Sequence, residues 1–226
     1  MKIPFSIYDF FGYLGCGFVF LFAVDFGFSG GWLIKEDLWP VYIVFWIVLA
    51  YITGHIIANI SSFLLEHKFL RENLISPEET LFDEERRKGF WPKLFPIFYK
   101  PFPEETKNLV LMKAKKAGIE SPGRGMFFHC HALVLSQKHT SERLSNFLNL
   151  YGFSRNISMS GLMAALIIIV GMVNTGFSPQ KVWWIIVALC VSIGMFYRYL
   201  KFFKHYTEEV FRAYAAIPER SSGQES

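Results

Sequence analysis

Four apolar stretches, at residues 10–28, 41–65, 157–173 and 182–200, most narrowly limit what this chain can fold into. Each is close to the roughly 20 residues that an α-helix needs to cross about 30 Å of hydrocarbon. Backbone polar groups cannot stay unpaired in lipid, so stretches of this length read as spanning helices. The expected fold is an all-α membrane protein: four transmembrane helices in two pairs around a cytoplasmic helical insert. The expected divisions are an N-terminal helix pair at 1–66, a helical domain at 67–156, a second pair at 157–203, and a helix extension with a disordered tail at 204–226.

Charge sets the expected orientation. Of the 23 Lys and Arg, 15 lie between residues 66 and 156, and Arg198, Lys201, Lys204, Arg212 and Arg220 follow the last stretch. The connectors at 29–40 and 174–181 hold only Lys35 and Lys181. Positively charged loops stay cytoplasmic. Both termini and the insert are therefore expected inside an inner membrane, with the connectors outside. Lone cysteines at 16, 130 and 190 fit a reducing compartment. The cationic clusters Arg86-Arg87-Lys88 and Lys113, Lys115, Lys116 suit anionic lipid headgroups. Interleaved acids argue against nucleic acid.

Within the insert, Ser76-Pro77-Glu78-Glu79 reads as a capping box with Pro at the first helical position. The proline-rich run 90–103 reads as an extended connector. A helix is expected from Glu104 to Gly118, another over 125–138, and a third over 141–151 ended by Gly152. The fourth span is expected to run on to Ala216.

Polar residues inside the apolar stretches are the first functional candidates. In the second stretch Ala50, Gly54, Ala58 and Ser62, spaced by four, form a small-residue stripe that admits another helix closely. His55 and Asn59 border it, and Ser192 lies at a matching depth as a partner for His55. A neutral, hydrogen-bonded His55 that ties helices together is the favoured reading; a proton relay is the alternative. At the inner interface Asp9 begins the first helix, where the dipole favours a carboxylate, and Arg155 and Arg198 sit at the same depth. Asp25 flanks the outer end and reads as interfacial.

Two motifs in the insert suggest chemistry. His129-Cys130-His131 invites a metal, but i and i+2 diverge on a helix and structural zinc needs four ligands. No metal or cofactor is assigned. Arg124 and His129 have the Arg-x4-His spacing of the helical HEPN ribonucleases, although Gly125 stands where a polar residue usually follows the Arg.

At Tyr8-Asp9-Phe10-Phe11-Gly12-Tyr13-Leu14 and Leu150-Tyr151-Gly152-Phe153-Ser154-Arg155-Asn156 the chain resembles a group of small bacterial four-helix membrane proteins with no assigned activity. That resemblance implies that Asp9, Arg155 and Asn156 belong together at the inner interface. The functional expectation is a membrane-embedded binding or effector module rather than an enzyme. It senses through its cytoplasmic domain and acts by assembly or opening, with further copies of the chain and a cytoplasmic protein as partners. A small channel or transporter using His55 and Asn59 is the first alternative, and a tethered ribonuclease using Arg124 and His129 the second.

Overall fold

The computed structural model describes residues 7–33, 40–83 and 88–218. It is helical, with no strand among the described residues. The helices are α1 (Ile7–Gly27), α2 (Pro40–Ser61) with a π-helical continuation (Ser62–Leu74), α3 (Pro77–Thr80), α4 (Phe90–Leu94), α5 (Glu104–Lys116), α6 (Arg124–Leu135), α7 (Lys138–Thr175) and α8 (Pro179–Ala216). Three of these helical runs are long and apolar enough to cross a membrane: Pro40–Thr80, Thr140–Thr175 and Pro179–Ala216. The apolar helix Gly12–Gly27 is shorter.

The chain forms two compact units, residues 1–74 with 149–200 and residues 75–148 with 201–226. In unit 1, glycines set how closely the helices approach. A Cβ on Gly17 would lie 1.7 Å from the carbonyl oxygen of Ala50, and one on Gly54 would lie 1.8 Å from that of Tyr13. The backbones of α1 and α2 therefore touch. A Cβ on Gly171 of α7 would strike the backbone of Gly27 in α1, and one on Gly161 would come 2.9 Å from the Ala188 oxygen of α8. Helix α1 thus lies between α2 and α7, and α7 lies against α8. Hydroxyls reinforce two of these seams. Ser160 Oγ donates to the Cys16 carbonyl at 2.8 Å. Ser158 and Ser192 each donate to the other's carbonyl, at 2.9 and 2.8 Å. Cys16, Ile57 and Met159 fill the space where α1, α2 and α7 meet.

The buried face of α2 is Ala50, Gly54, Ile57, Ala58 and Ser61. The stripe read from the sequence ended at Ser62, which is only half-buried. A spacing of four advances about 40° beyond one turn at each step, so three steps rotate the stripe about 120°. The seam follows the 3.5-residue spacing that holds a face against its neighbour.

Unit 2 packs α5, α6, the start of α7 and the end of α8 around Phe82, Val110, Met126, Cys130, Leu144 and Phe211. Phe82 and Phe127 meet the Phe211 ring edge-on at 4.9 and 5.9 Å. Lys113 reaches from α5 to the carbonyls of Tyr214, Ala215 and Ile217 and caps the end of α8. A cation is favoured at a helix C-terminus. Inside α8, Lys204 is buried, donates to the Ile97 carbonyl at 2.8 Å and lies 3.5 Å from Glu208.

Three local expectations need correction. Ser76 makes no side-chain cap, and α3 is a single turn held by backbone bonds from Glu79 and Thr80 to the Ser76 carbonyl. The 90–103 connector opens with the short helix α4. Gly152 does not end a helix, because α7 runs through it. An interior glycine costs only about 1 kcal/mol, and Arg155 and Asn156 just beyond it have partners that hold the helical register.

Candidate functional site

The densest polar constellation in unit 1 lies where α2 becomes π-helical. Arg155 Nη1 donates to Glu66 Oε2 at 2.7 Å, and the Tyr151 hydroxyl donates to the same oxygen at 2.6 Å. Tyr151 and Arg155 are four residues apart on α7 and so share a face. The guanidinium also stacks over the Tyr151 ring, 5.5 Å from its centroid. Arg155 Nε reaches Ser61 Oγ at 3.2 Å and Asn156 Oδ1 at 3.3 Å. Ser61 donates to Asn156 Oδ1 at 2.7 Å. Five side chains from two helices thus form one charge-assisted network. The Arg155 and Glu66 side chains are 13% and 21% exposed, so water screens the pair only partly.

The π-helix makes this network geometrically accessible. In an α-helix Ser61 and Glu66, five residues apart, would point about 140° away from each other. A π-helix repeats its hydrogen bonds at i→i+5, which returns a residue to nearly the same face after five positions. Both side chains therefore address α7. Within the same turn Ser62 Oγ lies 3.4 Å from Glu66 Oε2.

The other sequence candidates fall elsewhere. Asp9, the expected carboxylate for Arg155 or Arg198, has its side chain outside the described residues; Arg155 pairs with Glu66. Arg198 is exposed, while Asn156 is buried in the network. His55 stacks on Tyr13, with ring centroids 4.0 Å apart and planes 20° apart, and meets Tyr51 edge-on at 4.6 Å. Asn59 is exposed, and Ser192 pairs with Ser158 instead of His55. His55, Asn59, Ser62 and Ser192 are therefore not gathered into one site. The cationic pair Arg86 and Arg87 lies outside the described residues.

In unit 2, Arg124 is exposed and lies over the Phe128 ring at 5.4 Å. His129 packs beside the Tyr214 ring, with centroids 6.1 Å apart. Five residues along one α-helix separate two side chains by about 140°, so α6 does not turn this pair toward a common cleft. His131 Nε2 is 2.8 Å from the Tyr206 hydroxyl, and burial holds its pKa below the usual imidazole value. Cys130 sits in the core, where burial pushes its thiol up to about 12. These are the properties of packed side chains; a reactive thiol would be exposed and readily ionised.

Sequence reasoning passed over three residues that the structure makes prominent. Glu66 and Tyr151 belong to the network above. Lys181, at the start of α8, is buried and donates to the Gly27 carbonyl at 2.9 Å and to Thr175 Oγ1. A lone lysine in a connector otherwise poor in cations was the available signal. The chain matches no protein-family model, and no curated protein or solved structure matches it.

Proposed function

We propose that the chain is an integral inner-membrane protein with four spans, its termini and unit 2 cytoplasmic, and that it works as a binding or effector module. In this reading a partner engages unit 2, and the response is a change in helix assembly or opening at the membrane. The observation that carries it is the Glu66–Arg155–Tyr151 network joining the π-helical end of α2 to α7. Partly buried ion pairs add little net stability, and their best-attested use is in fixing register or switching between states. π-helical turns frequently mark functional positions. Helices α7 and α8 each supply residues to both units, which gives binding in one unit a covalent route to the other.

The bilayer setting is supported by the three long apolar helices and by exposed side chains that water would not favour, such as Val41, Val173 and Trp183. Four spans rest on the four apolar stretches, and inside termini on the Lys and Arg asymmetry. Reporter fusions in the connector at residues 29–31 and in the insert at residues 121–123 should report opposite sides of the membrane.

The functional test uses the full chain in dye-loaded vesicles, with oligomer mass measured in detergent. Glu66→Arg should release dye or shift the oligomer, and Glu66→Arg combined with Arg155→Glu should restore wild-type behaviour. Folded single variants that match wild type in both readouts would reduce the network to scaffolding.

A further inference from the structure

Helices α1, α7 and α8 of unit 1 leave an apolar groove of about 370 Å³ between them, lined by Phe18, Phe22, Ala23, Ala164, Ile168 and Trp184 among others. Its walls are almost wholly hydrocarbon. A second hollow, of about 450 Å³, is lined by Asp25, Ser29, Thr175, Gln180 and Lys181 together with Phe26. The two cavities are neighbours. Trp184, in the groove wall, packs edge-on against Phe26, in the wall of the hollow, with centroids 6.4 Å apart. Lys181 and Trp184 are one helical turn apart, about 4.5 Å along the axis.

The hollow contains two buried, oppositely charged residues, Asp25 and Lys181, at 4% and 7% exposure. They make no direct ion pair with each other. Lys181 Nζ bonds to the Gly27 carbonyl and to the Ser29 and Thr175 hydroxyls. Asp25 Oδ1 accepts the backbone N–H of Trp32 at 2.6 Å, while Oδ2 lies 3.4 Å from that of Leu33 and keeps acceptor capacity. Buried charges need compensation, and here each is held by neutral dipoles beside open space.

We propose that groove and hollow together bind one phospholipid with a primary-amine headgroup. An acyl chain occupies the groove. The phosphate lies toward Lys181 and the N-terminus of α8, where cation and helix dipole act together, and the headgroup ammonium lies toward Asp25. An apolar groove beside a hollow that holds both charges matches an amphiphile with a zwitterionic head. A free anion would leave Asp25 and the groove without a partner. The inference rests on the membrane setting proposed above. It does not depend on which side the connectors face, since binding in detergent is blind to orientation.

The experiment is native mass spectrometry of the detergent-purified chain, titrated with phosphatidylethanolamine and with phosphatidylcholine of the same acyl chains. Wild type should retain one phosphatidylethanolamine about tenfold more tightly than phosphatidylcholine, the difference expected for one charge-assisted contact. Asp25→Asn should erase that preference, whereas Lys181→Gln, at the phosphate common to both lipids, should weaken both. Val19→Trp should weaken both lipids, because Val19 lines the groove from a position already 41% exposed, and filling it leaves the core untouched. Equal retention of the two lipids by wild type would overturn the proposal and leave only general annular lipid. Undiminished binding by Val19→Trp would also overturn it, and that variant decides the matter even if Lys181→Gln does not fold.

Discussion

Arg155 Nη1 meets Glu66 Oε2 at 2.7 Å across 89 residues of sequence. The contact ties the second apolar helix to the third at the position where the second leaves α-helical geometry. A carboxylate on an ordinary α-helical continuation would face away from α7. The π-helix and the ion pair therefore imply each other: the pair gives the wider turn a partner, and the wider turn brings the carboxylate within reach.

Glu66→Gln should destabilise the chain by about 1.5–3 kcal/mol, the range for hydrogen bonds to charged groups, since the pair is not fully buried. Arg155→Met should do the same. The double variant should cost less than the sum, with a coupling of about 0.5–3 kcal/mol because the residues touch. Thermal unfolding in detergent measures all three. Strict additivity would mean that the two side chains do not interact in solution.

Gly17→Ala and Gly54→Ala should each abolish most of the folded yield. The added methyl would fall 1.7 or 1.8 Å from a backbone oxygen of the facing helix, and backbone cannot step aside as a flexible side chain can. Gly125→Ala is the matched control. Nothing lies within 4 Å of that position, and alanine should gain up to about 1 kcal/mol through helix propensity. Size-exclusion profiles of the three variants check the contrast.

These two predictions mark what could be read from residue order. The helices of unit 1 were legible because length, apolar content and glycine spacing are local properties. The ends of α5 and α8 were legible for a similar reason: Gly118 follows the first with φ +81°, and Pro218 follows the second. The network was only half legible. Arg155 and Asn156 stood out, but an α-helical continuation beyond Ser61 would leave Glu66 about 140° away from it. Nothing in the one-dimensional pattern announces a π-helical stretch. Lys181 was overlooked because its partners are one carbonyl and two hydroxyl groups contributed by other segments, which composition does not reveal.

Lys113→Met should loosen the end of α8. The ammonium serves the carbonyls of Tyr214, Ala215 and Ile217, the groups that a helix C-terminus leaves unpaired. Cations at this position contribute about 0.3–1 kcal/mol at exposed sites and up to about 2 when partly buried. Faster hydrogen exchange over residues 210–217, with α2 unchanged, is the expected result. Unchanged exchange there would assign the helix end to its apolar contacts alone.

His131 should make unit 2 less stable in mild acid. Its ring stacks on Phe127, with centroids 5.7 Å apart, and its Nε2 is bonded to the Tyr206 hydroxyl. Burial disfavours the charged imidazolium, so the folded-state pKa lies below the ordinary 6.5. The unfolded chain therefore takes up a proton near pH 6.5, while the folded chain resists until a lower pH. Across that window the unfolded state binds more protons, and stability rises with pH. On acidification the loss begins near pH 6.5 and levels off once the folded imidazole itself is protonated. Hydrogen exchange of α6 amides in the full chain, compared at pH 8, 6.5 and 5 after correction for intrinsic rates, should show protection falling through this range. His131→Gln, which retains a hydrogen-bonding group toward Tyr206 but does not titrate, should flatten the dependence. A slope that survives in His131→Gln would place the sensitivity on another group.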